Sequence, residues 1–167
     1  IKGAILTVIT NIEDLRVLHE KRAPRMFYDY ADSGSWTEGT YRSNESEFSK
    51  IKFRQRVAVN VDHRSIASTM LGQTVAMPVA LSPVGLTGMQ YPDGEILAAR
   101  AAKDFGVPFC LSTMSICSME EIAKHTNHPF WFQLYVMRDK RFVSSLIERA
   151  RACLLYTSPS PRDRTRS

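Results

Sequence analysis

From Met77 onward, short apolar runs alternate with amphipathic stretches in the same order three times. Met77–Leu81 is short enough to be a strand buried on both faces. It opens into the loop Ser82-Pro83-Val84-Gly85-Leu86-Thr87-Gly88 and a helix over Gly94–Phe105. Strand Val107–Leu111, loop Ser112–Cys117 and helix Ser118–His125 follow, then strand Phe130–Tyr135, loop Val136–Asp139 and helix Lys140–Ala152. Leu97, Ala101 and Phe105 share one face of the first helix, and Gly106 stands at its end as a stop. Ser118 and Glu121 form a capping box on the second. Val143, Leu146, Ile147 and Ala150 make an apolar stripe on the third. Three strand–loop–helix units in succession predict an α/β fold with a parallel sheet and its helices outside. In such folds the loops after the strands carry the chemistry.

The preceding residues read as a preface to that sheet. Thr10 and Glu13 have capping-box spacing, and Ile12, Leu15 and Leu18 recur at helical intervals. Pro24 breaks this helix and starts an aromatic one, Arg25–Asp32, which Ser33-Gly34 ends. A polar helix over Thr37–Ser49 follows. Thr69–Leu71 and Thr74–Ala76 predict a hairpin around Gly72-Gln73 that caps the bottom of a barrel. The first ten residues lack a small-residue cleavage site and read as a lead-in, not a signal peptide.

After Ala152 the period stops. Cys153–Ser167 has two Ser-Pro pairs and scattered Arg, a composition that favours disorder, and it resembles a translated sequencing adapter. The expected division is 1–76 (helices and hairpin), 77–152 (three βα units) and 153–167 (non-native, disordered tail). Three units cannot close an eight-unit barrel of about 250 residues. The chain therefore reads as the N-terminal part of a larger α/β domain.

Bulk properties change this picture little. The chain has 167 residues, 44% hydrophobic and 23% charged, which is ordinary for a globular domain. Of the net charge of +5, +2 falls in the last fifteen residues, so the rest offers no basic footprint for nucleic acid. Cys110, Cys117 and Cys153 are odd in number and lack CxxC spacing, which fits a reduced setting and not a disulfide framework.

GxGxxG, P-loop and HExxH motifs are absent, which weighs against a dinucleotide fold, a nucleotide triphosphatase and a zinc protease. The loops Ser82–Gly85 and Ser112–Ser115 are instead small and hydroxyl-rich. Their amides could approach a flat aromatic cofactor, or they are ordinary turn chemistry. Gln133 and Tyr135 fall on one face of the third strand by alternation, the face a barrel turns inward. They need partners there, from a ligand or from neighbouring residues. The phenols of Tyr28 and Tyr30 either pack in a core or reach a substrate carboxylate. His19, His63, His125 and His128 show no ligand spacing.

Four blocks carry a resemblance: Arg25–Gly34 (RMFYDYADSG), Met77–Met89 (MPVALSPVGLTGM), Pro108–Ala123 (PFCLSTMSICSMEEIA) and Trp131–Phe142 (WFQLYVMRDKRF). In this order they resemble the FMN-dependent α-hydroxy-acid dehydrogenase/oxidase family, nearest to its bacterial, cytochrome- or quinone-linked L-lactate dehydrogenase branch. The resemblance covers residues 9–152. It implies a TIM (β/α)8 barrel, of which this chain holds the first part, with FMN at its C-terminal face. The implied reaction is oxidation of a small L-2-hydroxy acid, L-lactate to pyruvate, with a quinone or cytochrome as acceptor.

By the same resemblance, Pro83, Val84 and Gly85 would pack along the flavin, and Ser112 and Gln133 would hydrogen-bond its ring. Tyr30 would bind the substrate carboxylate, Tyr135 would meet the substrate near its hydroxyl, and Met114 would shape substrate choice. The family's catalytic histidine, carboxylate-binding arginine and main phosphate loops come late in its sequences and have no counterpart here, so this chain alone is expected to be inactive. A homotetrameric parent in the cytoplasm, or peripheral to the inner membrane, is implied as well. Two rivals are another FMN barrel of the type 2 isopentenyl-diphosphate isomerase kind, which should lack the match at Tyr28–Tyr30, and a non-catalytic binding module with a basic tail.

Overall fold

The computed structural model describes residues 8–153 and the backbone of 156–159. The lead-in at 1–7, residues 154–155 and the end of the tail at 160–167 lie outside the described residues. Two compact units divide at Asn60/Val61.

The first unit holds α1 (Ile12–Arg22), α2 (Arg25–Ala31), α3 (Gly39–Ser46) and a 3-10 turn, Glu47–Lys50. The capping box of α1 is Asn11 with Asp14, one residue later than the spacing of Thr10 and Glu13 predicts. Asn11 sits in extended geometry, as an N-cap requires, and the Thr10 N–H and hydroxyl also donate to Asp14 Oδ2. Helices α1 and α2 are joined through Asp32. Its Oδ2 accepts from Arg16 Nη1 at 2.9 Å and from the Tyr28 hydroxyl, while Tyr41 donates to Oδ1 at 3.1 Å.

The second unit begins with the hairpin β1 (Ser68–Met70) and β2 (Gln73–Val75). The turn is Leu71-Gly72, with φ of 47° and 80°, one residue ahead of the expected Gly72-Gln73. Positive φ at both central residues is what a tight two-residue hairpin demands. The hairpin belongs with the sheet, where Ala76 N donates to Gly106 O, and not with the N-terminal helices.

Met77–Leu81 is not a full strand. Only Leu81 bridges Phe109, through Leu81 N to Pro108 O and Cys110 N to Leu81 O. Pro78 and Pro83 lack N–H donors, and Val79 N turns back to Met77 O, so no longer ladder forms. A short helix α4 (Thr87–Gln90) then leads to α5 (Gly94–Phe105), β3 (Cys110–Ser112), α6 (Met119–Thr126), β4 (Trp131–Leu134) and α7 (Lys140–Ala152). Strand β3 starts three residues later than expected, because Val107 N still caps α5 at Ala102 O and Pro108 cannot donate.

A fifth strand, β5 (Tyr156–Pro159), pairs parallel with β4 from Trp131↔Tyr156 to Leu134↔Pro159. This corrects the expectation of disorder for that part of the tail. Helix α7 returns the chain to the open edge of β4, and main-chain pairing there needs an extended backbone, not a side-chain pattern. The sheet runs β3-β4-β5, all parallel, with Leu81 at its other side.

The core lies between this sheet and α5–α7: Ile96, Ala99 and Ala102 from α5, Ile122 from α6, and Val143, Leu146 and Ala150 from α7, against Phe109, Leu111, Phe132 and Leu134. The stripe on α7 and the Ser118–Glu121 capping box match the sequence reading. The buried face of α5 does not. Leu97 and Phe105 are exposed, and the small pair Ala99 and Ala102 faces the strands. Both sets have helical spacing; the alanines let the helix axis come closer to the sheet.

Candidate functional site

Strand alternation sets the site. Phe132 and Leu134 point into the core, while Trp131, Gln133 and Tyr135 stand half-buried on the opposite face. Ser112, at the end of β3, is the register partner of Gln133. Its hydroxyl donates to Gln133 Oε1 at 3.5 Å and accepts from Met114 N at 3.0 Å. Thr113 N also donates to Gln133 Oε1, at 3.4 Å. Two donors thus orient the amide oxygen toward β3. The other end of the amide, Nε2, is buried with no hydrogen-bond partner among the described residues. A buried donor left unpaired is costly, so this position calls for an acceptor from a bound group.

Thr113 is a residue that sequence reasoning left as part of a polar loop. Its hydroxyl donates to Gln133 O and accepts from Tyr135 N at 3.2 Å. The bond diverts Tyr135 from the ladder and ends β4 one residue earlier than expected.

The first loop stands beside the second. Leu86 N donates to Met114 O at 3.0 Å, and Thr87 Oγ1 to Val84 O at 3.1 Å. Leu86 has a φ of 57°, a left-handed geometry costly for a branched residue. Pro83 and Val84 are exposed and Gly85 is half-buried. A cavity of about 190 Å³ lies under this loop, lined by Ser82, Val84, Glu95 and Ser112 among others. A larger one, about 350 Å³, lies at the opposite, entry end of the strands, between the hairpin, Gly106–Pro108 and His128–Trp131. That end carries none of the candidate chemistry.

Glu95, in the first turn of α5, is a site neighbour that sequence reasoning does not single out. Its place on one stripe with Ala99 and Ala102 (i, i+4, i+7) was the available signal. Met114 is 51% exposed beside the site. Tyr30 stands in the first unit on α2, 58% exposed, whereas Tyr28 is buried with its hydroxyl on Asp32.

Ser112, Gln133, Met114 and Tyr135 are thus brought together, and the Pro83–Gly85 loop is bonded to them through Leu86. An unpaired amide donor, a hydroxyl and a small-residue loop fit a flat ligand with hydrogen-bonding edges, which is what an isoalloxazine ring offers.

Comparison with known proteins agrees with that chemistry. Residues 19–157 match the model of the FMN-dependent dehydrogenase family. The chain is 43% identical over 158 residues to L-lactate dehydrogenase of Pseudomonas syringae pv. syringae, which covers 92% of this chain and 42% of that protein. It is 44% identical to L-lactate dehydrogenase of Stenotrophomonas maltophilia (strain K279a), with the same coverage. The chain therefore spans under half the length of these relatives. Among solved structures, a soluble mutant of the membrane-associated (S)-mandelate dehydrogenase from Pseudomonas putida superposes with a TM-score of 0.82 at 35% identity, over 90% of this chain and 44% of that one. A mandelate oxidase superposes with a TM-score of 0.80 at 29% identity, over 90% of this chain and 44% of its own.

Proposed function

Because the chain belongs to the FMN-dependent dehydrogenase family, we propose that it is the N-terminal, cofactor-facing part of a TIM-barrel flavoenzyme that oxidises L-lactate to pyruvate. The observation that carries the reading is the Gln133 amide, its oxygen held by Ser112 and Thr113 and its Nε2 donor buried and unpaired among the described residues. In this reading Ser112 and Gln133 hold the ring edge of FMN, and the backbone of Pro83, Val84 and Gly85 packs along it. FMN, when bound, supplies the two-electron acceptor for oxidation of the Cα–OH.

The chain's own residues orient the substrate. By the family resemblance Tyr30 is assigned to its carboxylate, and Tyr135 to the neighbourhood of its hydroxyl. Met114 bounds the side-chain space, and its unbranched, adaptable form suits a small substrate. Lactate is preferred over mandelate because the relatives at 43% and 44% identity are lactate dehydrogenases, above the 35% of the mandelate enzyme. The general base and the carboxylate-binding arginine belong to the portion of the parent enzyme outside these 167 residues. A general base contributes about 10²–10⁴-fold in rate, and losing it together with most of the cofactor site is expected to leave the chain alone without useful turnover.

The reduced flavin passes its electrons to a quinone or cytochrome, and the parent is a homo-oligomer in the cytoplasm or peripheral to the inner membrane. Among the described residues no helix is long and apolar enough to cross a membrane. Anaerobic addition of L-lactate to the full-length enzyme tests the reading. Bleaching of the bound flavin's visible absorbance is expected. A protein purified without flavin and unable to take up FMN overturns the assignment, and bleaching by mandelate but not lactate transfers it to the aromatic substrate.

A further inference from the structure

Glu95 opens the first turn of α5, where a carboxylate is ordinarily solvated, yet it is 2% exposed. Its Oε1 accepts two backbone N–H groups from two separate segments. Gly88 donates at 2.9 Å from the first turn of α4, which closes the loop after Leu81, and Ile116 donates at 3.0 Å from the loop after β3. Oε2 is buried with no nitrogen or oxygen donor among the described residues, in the wall of the cavity that Ser82, Val84 and Ser112 also line, and the Cys117 thiol is the carboxylate's side-chain hydrogen-bonding neighbour. Burial alone would raise the acid's pKa. The Ile116 and Gly88 amides, joined by Glu95's own N–H and the Cys117 thiol, outweigh it and hold the group below the ordinary glutamate value, so the side chain is ionised at neutral pH. Charge-assisted bonds of this kind are about twice as strong as neutral ones.

Around the carboxylate the packing is tight. A Cβ on Gly88 would lie 3.0 Å from Glu95 Oε2 and 2.7 Å from the Cβ of Ile116. The Cys117 thiol, next to Ile116, is pushed up to about 11 by burial and then by the Glu95 carboxylate. It therefore stays a neutral neighbour.

We propose that Glu95 is a positioning residue that fixes the first and second strand-following loops in one register, and so sets where Pro83–Gly85 and Met114 stand relative to each other. The geometry of the clamp comes from the two amide bonds. What the loops hold rests on the flavin reading above. Glu95 acts through the backbone of both loops and touches no reacting atom.

Amide hydrogen exchange by NMR on the 167-residue chain tests the clamp without cofactor. Glu95→Ala is expected to speed exchange at Gly88 and Ile116 together, by about tenfold or more, while the amides of α7 keep their protection. Glu95→Gln retains an acceptor of the same reach and is expected to restore most of the protection. Should Glu95→Ala fail to fold, Glu95→Gln against wild type decides: both amide protons move upfield together as the charge is lost. No movement at either amide, or movement at only one, overturns the clamp, as does equal acceleration across α5–α7. FMN affinity of the full-length enzyme is the second readout. It is expected to fall about tenfold in Glu95→Ala and to recover in Glu95→Gln. Unchanged FMN affinity with released amides overturns the positioning role. Wild-type enzyme that binds no FMN sinks the flavin reading and leaves the amide result to stand by itself.

Discussion

Ser112 and Gln133 face each other across β3 and β4, and the hydroxyl of the one donates to the amide oxygen of the other at 3.5 Å. The pairing leaves Gln133 Nε2 as the buried donor on offer. If that donor serves the flavin, removing it or its orienting partner has separable effects. Gln133→Leu is expected to weaken FMN binding to the full-length enzyme by about 1–3 kcal/mol, which is 5- to 150-fold. Ser112→Ala removes only one of two bonds that orient the amide, because Thr113 N remains, and is expected to cost less than tenfold. Titration of apoenzyme with FMN, followed by quenching of flavin fluorescence, measures both. Equal losses would mean that Ser112 contacts the ring itself.

Helix α5 offers a test of packing. Ile96 is 6% exposed and belongs to the core, whereas its neighbour Leu97 is 44% exposed. Ile96→Ala is expected to destabilise the second unit by about 2–4 kcal/mol, and Leu97→Ala by less than about 1 kcal/mol. Urea unfolding followed by far-UV circular dichroism gives the comparison. The reverse ranking would restore the face that the sequence pattern suggests.

What the sequence made legible follows from where its signals were local. The Ser118–Glu121 capping box, the α7 stripe and the Gln133/Tyr135 alternation each depend on residues a few positions apart, and each appears in the fold. The errors came where a distant group decided. Two stripes on α5 satisfy the same period, and only the sheet selects Ala99 and Ala102. Met77–Leu81 has strand composition, but its prolines and a turn at Val79 leave one bridge. Strand β5 carries no strand-like alternation and exists through the edge of β4. At the site, Ser112 and Gln133 came from family resemblance. The roles of Thr113 and Glu95 each depend on a bond spanning 20 or more residues, which no local pattern reports.

The hairpin turn stores local strain. Leu71 adopts a φ of 47° beside Gly72 at 80°, and its side chain is exposed. Asparagine tolerates the left-handed region and retains the Cβ that restricts the unfolded chain. Leu71→Asn is expected to stabilise the second unit by about 0.5–1 kcal/mol, read as a higher urea midpoint at unchanged slope. A lower midpoint would mean that Leu71 makes apolar contacts worth more than the backbone strain.

Asp32 couples the first unit to acid. The Tyr28 hydroxyl bond, followed by those of Arg16 and Tyr41, holds its carboxyl below the ordinary aspartate value against the opposing effect of burial. A depressed folded pKa contributes stability that is present above the unfolded value of about 3.9 and is lost as pH falls through the folded value. Acid unfolding of the first unit is therefore expected below about pH 4, and not near neutrality. Tyr28→Phe removes the leading cause, so the Asp32 midpoint should move up toward the unfolded value. Titration of the Asp32 carboxyl carbon by NMR checks this. An unmoved midpoint would assign the shift to Arg16.

Gly88 tests the crowding between the two loops. The left-handed region is not at issue; the constraint is space, since a methyl would meet the Ile116 Cβ at 2.7 Å and Glu95 Oε2 at 3.0 Å. Gly88→Ala is expected to cost about 1–3 kcal/mol by forcing the loops apart. The tightest clash is with the Cβ of Ile116, with its Cγ2 at 3.0 Å, so Ile116→Ala relieves only the lesser contact and Ile116→Gly removes both. A cycle of Gly88→Ala with Ile116→Gly should therefore show a favourable coupling of about 1 kcal/mol, and the cycle with Ile116→Ala a smaller one. Urea unfolding of the five variants and the wild type supplies the numbers. Equal coupling in both cycles would place the crowding at the outer branches of Ile116 and not at its Cβ.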